Sequence, residues 1–314
     1  MFNKHYSLLY CIFSTLFVYY RIMSLSPNVI SYISELHNEC ILISRRKNSL
    51  LPLIYEAELP EQVYNSNAIA ESPLSLEETE KILVDMEIPR RRDLRAVYAV
   101  TNLAQVLLFI NNKTTEAKLT ADTLRMLHSM LLGSIHFEIA GRFRKDDEHI
   151  RISTHIAPAS THIELLLMRA YDEYIEAAKD APLEAIAAYH LKFLSIQPFV
   201  DGNGHIARAL VNWQLAVSGY PGIIIREKDK KEYIHALTEY LNRKDTKPME
   251  KMFARYIMES LHKRLAYLRD EMIVPLAEYA KKEGKPVPAL LNAAKRQSIP
   301  AFRQRGVWSI GIRI

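Results

Sequence analysis

The segment Ser195-Ile-Gln-Pro-Phe-Val-Asp-Gly-Asn-Gly-His-Ile-Ala-Arg208 decides what fold this chain adopts. The apolar run before it, Leu183 to Ile196, reads as a helix buried on most sides. The run after it, Ile206 onward through Trp213, has the spacing of a second helix. Between them, Asp201-Gly-Asn-Gly204 forces a tight turn, because glycine lets the backbone turn sharply and approach a ligand closely. A helix that starts at such a turn presents unpaired N–H groups and its positive dipole end, which suits phosphate. Asp201 has the chemistry to hold a divalent cation bridging phosphate oxygens. Arg208, one turn into the helix, supplies a fixed positive charge. A plain helix–loop–helix turn, with glycine at the cap and Asn203 left-handed, accounts for the same composition.

Outward from this loop the chain reads as helix-rich. Nine glycines in 314 residues, about half of them apolar, leave few turns and enough material for a real core. Ser75-Leu-Glu-Glu78 is a capping box, and Thr161-His-Ile-Glu164 has the same pattern. Apolar residues recur every three or four positions between Arg91 and Asn111, and Thr120 to Leu132 repeats the habit. Further helices are expected at 230–242 and 249–270. His149-Ile-Arg-Ile152 alternates instead, as a short strand or hairpin does. His155 and His162 lack a third ligand for zinc. Trp213 and Phe193 read as core.

The loop resembles the signature of the Fic family, His-Pro-Phe-x-Asp-Gly-Asn-Gly-Arg-x-x-Arg. Pro198, Phe199, Asp201, Gly202, Asn203, Gly204 and Arg208 match at the family's spacing. Residues 65–79 (NSNAIAESPLSLEET) are similar to the family's inhibitory segment, and residues 141–153 (GRFRKDDEHIRIS) to its flap, a hairpin that aligns a target segment by main-chain pairing. The resemblance implies a mainly α, Fic-type helical bundle with a small β-hairpin flap at His149, Ile150, Arg151 and Ile152. It also implies ATP and Mg2+, AMP transfer to a hydroxyl of a target protein, and a catalytic base at the first motif position. Asp201 would hold magnesium. Gly202, Asn203, Gly204, the residue at 205 and Arg208 would hold the phosphates.

Three departures bear on that expectation. The base position is Gln197, and a carboxamide cannot take a proton near neutral pH. The first motif arginine is His205, which makes one phosphate contact weaker or pH-dependent. The inhibitory segment includes Ser66, but its glutamate position is Ala70, with Glu71 one place late. A weak brake would leave Arg208 free for phosphate. The expected function is a Fic-family protein resembling protein adenylyltransferases with impaired catalysis. The alternatives are a nucleotide- or partner-binding pseudoenzyme and a DNA-associated regulator.

The last alternative rests on the tail. From Leu261 on, eleven Lys/Arg face four Asp/Glu, while the whole chain carries only +5, so the basic excess lies at the C-terminus. Residues 276–297 read as two short helices around Gly284, followed by a hairpin with Gly306 in its turn. This resembles the winged helix of excisionase-like and MerR-like modules, which implies phosphate contacts from Lys295, Arg296, Arg303 and Arg305. A cap that packs on the core or mediates a homodimer fits the same pattern. The expected divisions are an apolar extension at 1–22, a helical region at 23–120, a Fic core at 121–260 and a winged-helix-like module at 271–314. Two cysteines, Cys11 and Cys40, make no disulfide framework, so a cytoplasmic setting is expected. Leu8 to Tyr20 is apolar but, at thirteen residues, shorter than the roughly 20 of a membrane span. Residues 1–22 are read as an upstream extension or misassigned start before Met23, or alternatively as a membrane anchor or export signal through residues 6–22.

Overall fold

The computed structural model describes residues 25–47, 49–88, 92–113, 119–152 and 154–313. The expectations for residues 1–22 and for the start at Met23 lie outside them.

The chain is mainly α. Helix α1 (Pro27–Ser44) starts where the Ser26 hydroxyl accepts the Val29 N–H and Pro27 occupies the first helical position. Helix α2 (Leu50–Ile69) carries Pro60 in its interior and buries Glu58, Glu61, Asn65, Ser66 and Asn67 as well as Ile54 and Val63. Helix α3 (Leu76–Glu80) has the expected capping box, with Ser75 N–H to Glu78 at 2.9 Å and Glu78 N–H to Ser75 at 3.2 Å. It runs into one π-helical turn, Lys81–Asp85.

Helices α4 (Leu94–Lys113) and α5 (Ala121–Leu132) follow. The stretch Leu94–Asn112 is long and apolar enough to cross a membrane, but Val100, Leu103, Val106 and Ile110 are buried in the core. The hairpin β1 (Arg151–Ile152) and β2 (His155–Ile156) pairs Arg151 with Ile156 and Ile152 with His155. Helix α6 (Ile163–Ala178) does not use the expected box at Thr161. A 3-10 turn, Ser160–His162, precedes it, and Ser160 is drawn instead to Asp146. Glu164 turns outward to Arg125 at 2.7 Å.

Helices α7 (Pro182–Ile196) and α8 (Asn203–Val217) form the central hairpin, flanked by α9 (Lys230–Arg243) and α10 (Lys247–Leu268). Phe193 and Trp213 are buried there, with Leu191, Ile206 and Phe253.

A second, smaller core begins after α10. Strand β3 (Met272–Pro275), helices α11 (Leu276–Lys282) and α12 (Val287–Lys295), and strands β4 (Ala301–Gln304) and β5 (Val307–Ile312) enclose Leu276, Ala294, Ala301 and Ile310. The sheet order is β3-β5-β4, antiparallel throughout. Arg305 and Gly306 form the β4–β5 turn, both with positive φ (51° and 77°), the geometry of a two-residue I′ hairpin.

Three buried histidines make the fold acid-sensitive. His128, His190 and His262 are 0, 1 and 3% exposed. Burial holds them at about 4, 3 and 4, below the usual histidine value. The unfolded chain therefore takes up protons first as pH falls through 6.5. Stability is complete above that value and is lost as pH falls toward the folded-state values. Urea midpoints at pH 7 and pH 5 should differ by about 3–5 kcal/mol in unfolding free energy. Equal stability at the two values would show that these rings are protonated in the fold.

Candidate active site

Helix α7 ends because Gln197 turns left-handed (φ 48°) and Pro198 cannot continue the helix. The Gln197 carboxamide nitrogen donates to Leu194 O at 2.8 Å, so the side chain caps its own helix. Asn203 then closes the loop on itself. Its Oδ1 accepts the Phe199 N–H at 3.0 Å and its Nδ2 donates to Phe199 O at 2.7 Å. Arg144 ties the loop to the base of the flap, through its N–H to Pro198 O at 3.0 Å and its Nε to Gln197 O at 2.8 Å. The Asp201 carboxylate accepts the Gly202 N–H at 2.6 Å and is otherwise exposed.

Glycine is required at two of these positions. Gly202 has φ 75°, and a Cβ there would lie 3.1 Å from Leu131 and 3.4 Å from His128. A Cβ on Gly204 would lie 3.0 Å from the Arg208 guanidinium. Helix α8 therefore starts directly at this glycine turn, and its first-turn N–H groups lack helix partners, the arrangement that suits an anion at a helix N-terminus.

His128, which sequence reading passes over, is the support beneath this loop. Its Nδ1 accepts the Gly141 N–H at 3.1 Å, which leaves the proton on Nε2, and Nε2 donates to Asp201 O at 3.0 Å. Its ring stacks on Phe199 at 3.8 Å. One side chain thus joins α5, the flap base and the phosphate loop. His128→Phe keeps the ring but strands a buried N–H and a carbonyl. Unfolding free energy should fall by about 2–4 kcal/mol, measured in urea. A loss below 0.5 kcal/mol would mean that water replaces the ring nitrogens.

The two cationic positions of the motif lie under the end of α2. Arg208 is 7% exposed; its Nε donates to Ser66 Oγ and its terminal nitrogen to Ser66 O, each at 2.9 Å. It also bonds the Tyr233 hydroxyl, which in turn meets His190 Nε2 at 2.9 Å. His190 Nδ1 reaches Ala207 O at 3.2 Å. Among the described residues, Arg208 has no carboxylate partner. Arg208 is therefore not free, as the weak inhibitory segment had implied: Ser66 and Tyr233 hold it with neutral acceptors. Burial lowers its pKa, yet an arginine stays charged.

His205 Nε2 donates one hydrogen bond to Asn67 Oδ1 at 3.0 Å. Burial, and then the Arg208 charge, push its pKa down to about 3. It is neutral throughout the physiological range, which favours the weaker of the two expected outcomes, loss of charge, over pH dependence. Ala70 is exposed, and the displaced Glu71 turns left-handed (φ 67°) to pair with Lys230 at 2.9 Å instead of Arg208.

On the flap, His149 and Arg151 are exposed while Ile150 and Ile152 are half-buried. Ala157 N–H returns to Ile150 O at 3.0 Å. His155 Nε2 bonds Ser195 O at 2.9 Å, and no group of three metal-ligating side chains occurs among the described residues. In the C-terminal module Lys295 and Arg296 are exposed. Arg303 is not. It is 8% exposed, paired with Glu259 and with Asp229 at 2.8 Å each, and lies over the Trp308 ring at 4.8 Å. The expectation that it faces phosphate is corrected, because two carboxylates already neutralise it. Arg305 is exposed but pairs with Glu80.

Comparison with known proteins agrees with the fold. Residues 118–215 match the family model of the Fic/DOC family. The chain is 29% identical over 270 residues to a protein adenylyltransferase Fic of Nematostella vectensis, covering 84% of this chain and 61% of that protein. It is 26% identical over 258 residues to the protein adenylyltransferase Fic of Drosophila melanogaster, covering 78% of this chain and 51% of the relative. The chain thus spans between about half and three fifths of the length of these relatives. Among solved structures, a Fic-domain-containing signaling protein of Bacteroides thetaiotaomicron superposes with a TM-score of 0.69 at 24% identity, covering 76% of this chain and 97% of that one. Fic-1 of C. elegans (residues 134–508) superposes at 0.60 and 23% identity, covering 76% and 73%. The fold is shared with both, and residues 118–215 match the Fic/DOC family model.

Proposed function

We propose that this chain binds ATP with Mg2+ at the 197–208 loop but is impaired in passing AMP to a protein hydroxyl, making it a nucleotide-binding relative of the adenylyltransferases. One observation carries the reading. The N–H groups at the start of α8 lack helix partners, while the Gln197 carboxamide, at the position of the base, is spent on Leu194 O. In this reading the N–H groups at the start of α8 receive a phosphate, and Arg208 neutralises another once Ser66 yields. The exposed Asp201 carboxylate fits a hard cation that takes most of its ligands from water and phosphate, the usual habit of magnesium. Bound there, Mg2+ would supply charge neutralisation. Ile150 and Ile152 would align a target segment along the flap.

Intact-mass measurement of residues 23–314 after incubation with ATP and Mg2+ tests the catalytic half of this reading. No added AMP is expected on the native chain. Stoichiometric labelling would overturn the proposal.

A second reading concerns the tail. Lys281, Lys282 and Lys285 at the α11–α12 turn, and Lys295 and Arg296 at the end of α12, are all exposed, which favours a polyanion such as DNA on this module. With five cations engaged, log affinity should fall steeply with log salt, and Lys295→Glu/Arg296→Glu should flatten the slope by about two. Binding that ignores salt would exclude it.

A further inference from the structure

Helix α2 reaches from the active site to the C-terminal module, and its polar residues record what holds it. Three turns before its end, Glu58 pairs with Lys263 at 3.0 Å and Arg264 at 2.9 Å on α10. One turn on, the Glu61 carboxylate, 4% exposed, accepts the backbone N–H of Gly306 at 2.9 Å and of Arg305 at 3.2 Å. Asn65 accepts the Glu227 N–H at 3.0 Å, and Ser66 and Asn67 then cover Arg208 and His205. The β4–β5 turn is therefore seated on the same helix that covers the cationic end of the phosphate site. Five residues separate the two contacts, about 7.5 Å of helix rise.

We propose that the β4–β5 hairpin is an autoinhibitory latch: it clamps α2 over Arg208, so that the C-terminal module sets how readily the phosphate site opens. The seat is built for that turn. With positive φ at both Arg305 and Gly306, the two N–H groups converge on one carboxylate. That carboxylate also pairs with Arg226, whose other nitrogen meets Glu259 at 3.1 Å. Glu259 grips the hairpin a second time, through the Arg303 N–H at 3.1 Å and its guanidinium at 2.8 Å. Arg305 adds its pair with Glu80, beside the segment that follows α2. A hairpin held at its turn and along β4 by buried charge is fixed in place. The cover it supports is not: Ser66 offers Arg208 only a hydroxyl and a carbonyl, and Ala70 offers nothing. Release therefore depends on α2, and α2 depends on the hairpin.

The latch itself is independent of what Arg208 binds; its consequence for the site rests on the nucleotide reading. Hydrogen exchange on the full chain separates the two. Gly306→Pro cannot adopt φ 77° and has no N–H for Glu61. Exchange at residues 62–70 should rise about tenfold while residues 185–196 in α7 keep their protection. Unchanged protection of 62–70 with an intact α7 would overturn the latch. Where Gly306→Pro loses α7 as well, Arg305→Glu decides, because it sets a carboxylate against Glu80. A rise of about two- to fivefold, reversed by adding Glu80→Arg, supports the latch, and no change overturns it. MgATP titration of the same variants reads the other part. Faster exchange with tighter binding supports both ideas. Faster exchange without it keeps the latch and removes Arg208 as the phosphate ligand.

Discussion

With ATP and Mg2+ present, the Gln197→His/His205→Arg variant should transfer AMP about a hundred to ten thousand times faster than the native chain, the range a positioned general base contributes. Most of that gain belongs to position 197. The backbone there is already left-handed and tied through Arg144, so an imidazole would stand at the mouth of the loop without remodelling it. Position 205 adds charge, since the native histidine, at about 3, contributes none at neutral pH. The Arg side chain must displace Asn67, which costs one hydrogen bond but leaves α2 anchored at Glu58 and Glu61. Time courses of AMP-bearing protein, with Gln197→His alone as a third sample, resolve the two contributions. Equal rates in all three would mean that the loop is wrongly shaped for transfer and that the missing base is not the obstacle.

The second large effect concerns stability. Glu61, Arg226, Glu259, Arg303 and Asp229 alternate in sign across the joint between α2, α10 and β4. Glu259, 6% exposed, sits at the centre and serves both arginines. Glu259→Ala would leave two buried guanidinium groups sharing Glu61 and Asp229, and should cost about 3–5 kcal/mol of unfolding free energy. For a chain of this size that lowers the melting temperature by about 6–15 °C. A loss under 1 kcal/mol would show that water enters the joint and solvates the arginines. Replacing both ends together, as in Glu259→Met/Arg303→Met, should cost less than the single change, because Arg226 keeps Glu61 and Asp229 keeps the Tyr256 hydroxyl.

Much of the fold was legible because it is written in local chemistry. The capping box at Ser75 and the helix over residues 94–111 appear where expected, since each needs only neighbours in sequence. The loop between α7 and α8 was equally plain: its glycines, Asp201 and Asn203 act within seven residues of one another. What could not be read depends on long-range partners. His128 lies 73 residues from Asp201 and looks like any polar residue on an amphipathic helix. Its one signal is the neighbouring LHSM context, where an apolar stripe includes a histidine on its inner face. Tyr233 and His190 give no signal at all.

Arg303 illustrates the opposite failure. In sequence it is one more cation in a basic tail, and its two carboxylate partners lie 44 and 74 residues away. The Thr161 box failed for a related reason: Ser160 finds Asp146 across the flap, and a local cap loses to that contact.

The central claim is that the phosphate site survives without its base, and a calorimetric titration of MgATP into the native chain tests it most directly. One saturable site is expected, with a Kd in the range of about 10 μM to 1 mM, and Arg208→Ala should weaken it at least tenfold, the cost of about 1.4 kcal/mol. No heat up to millimolar ATP, or equal binding by native and Arg208→Ala chains, would contradict the account.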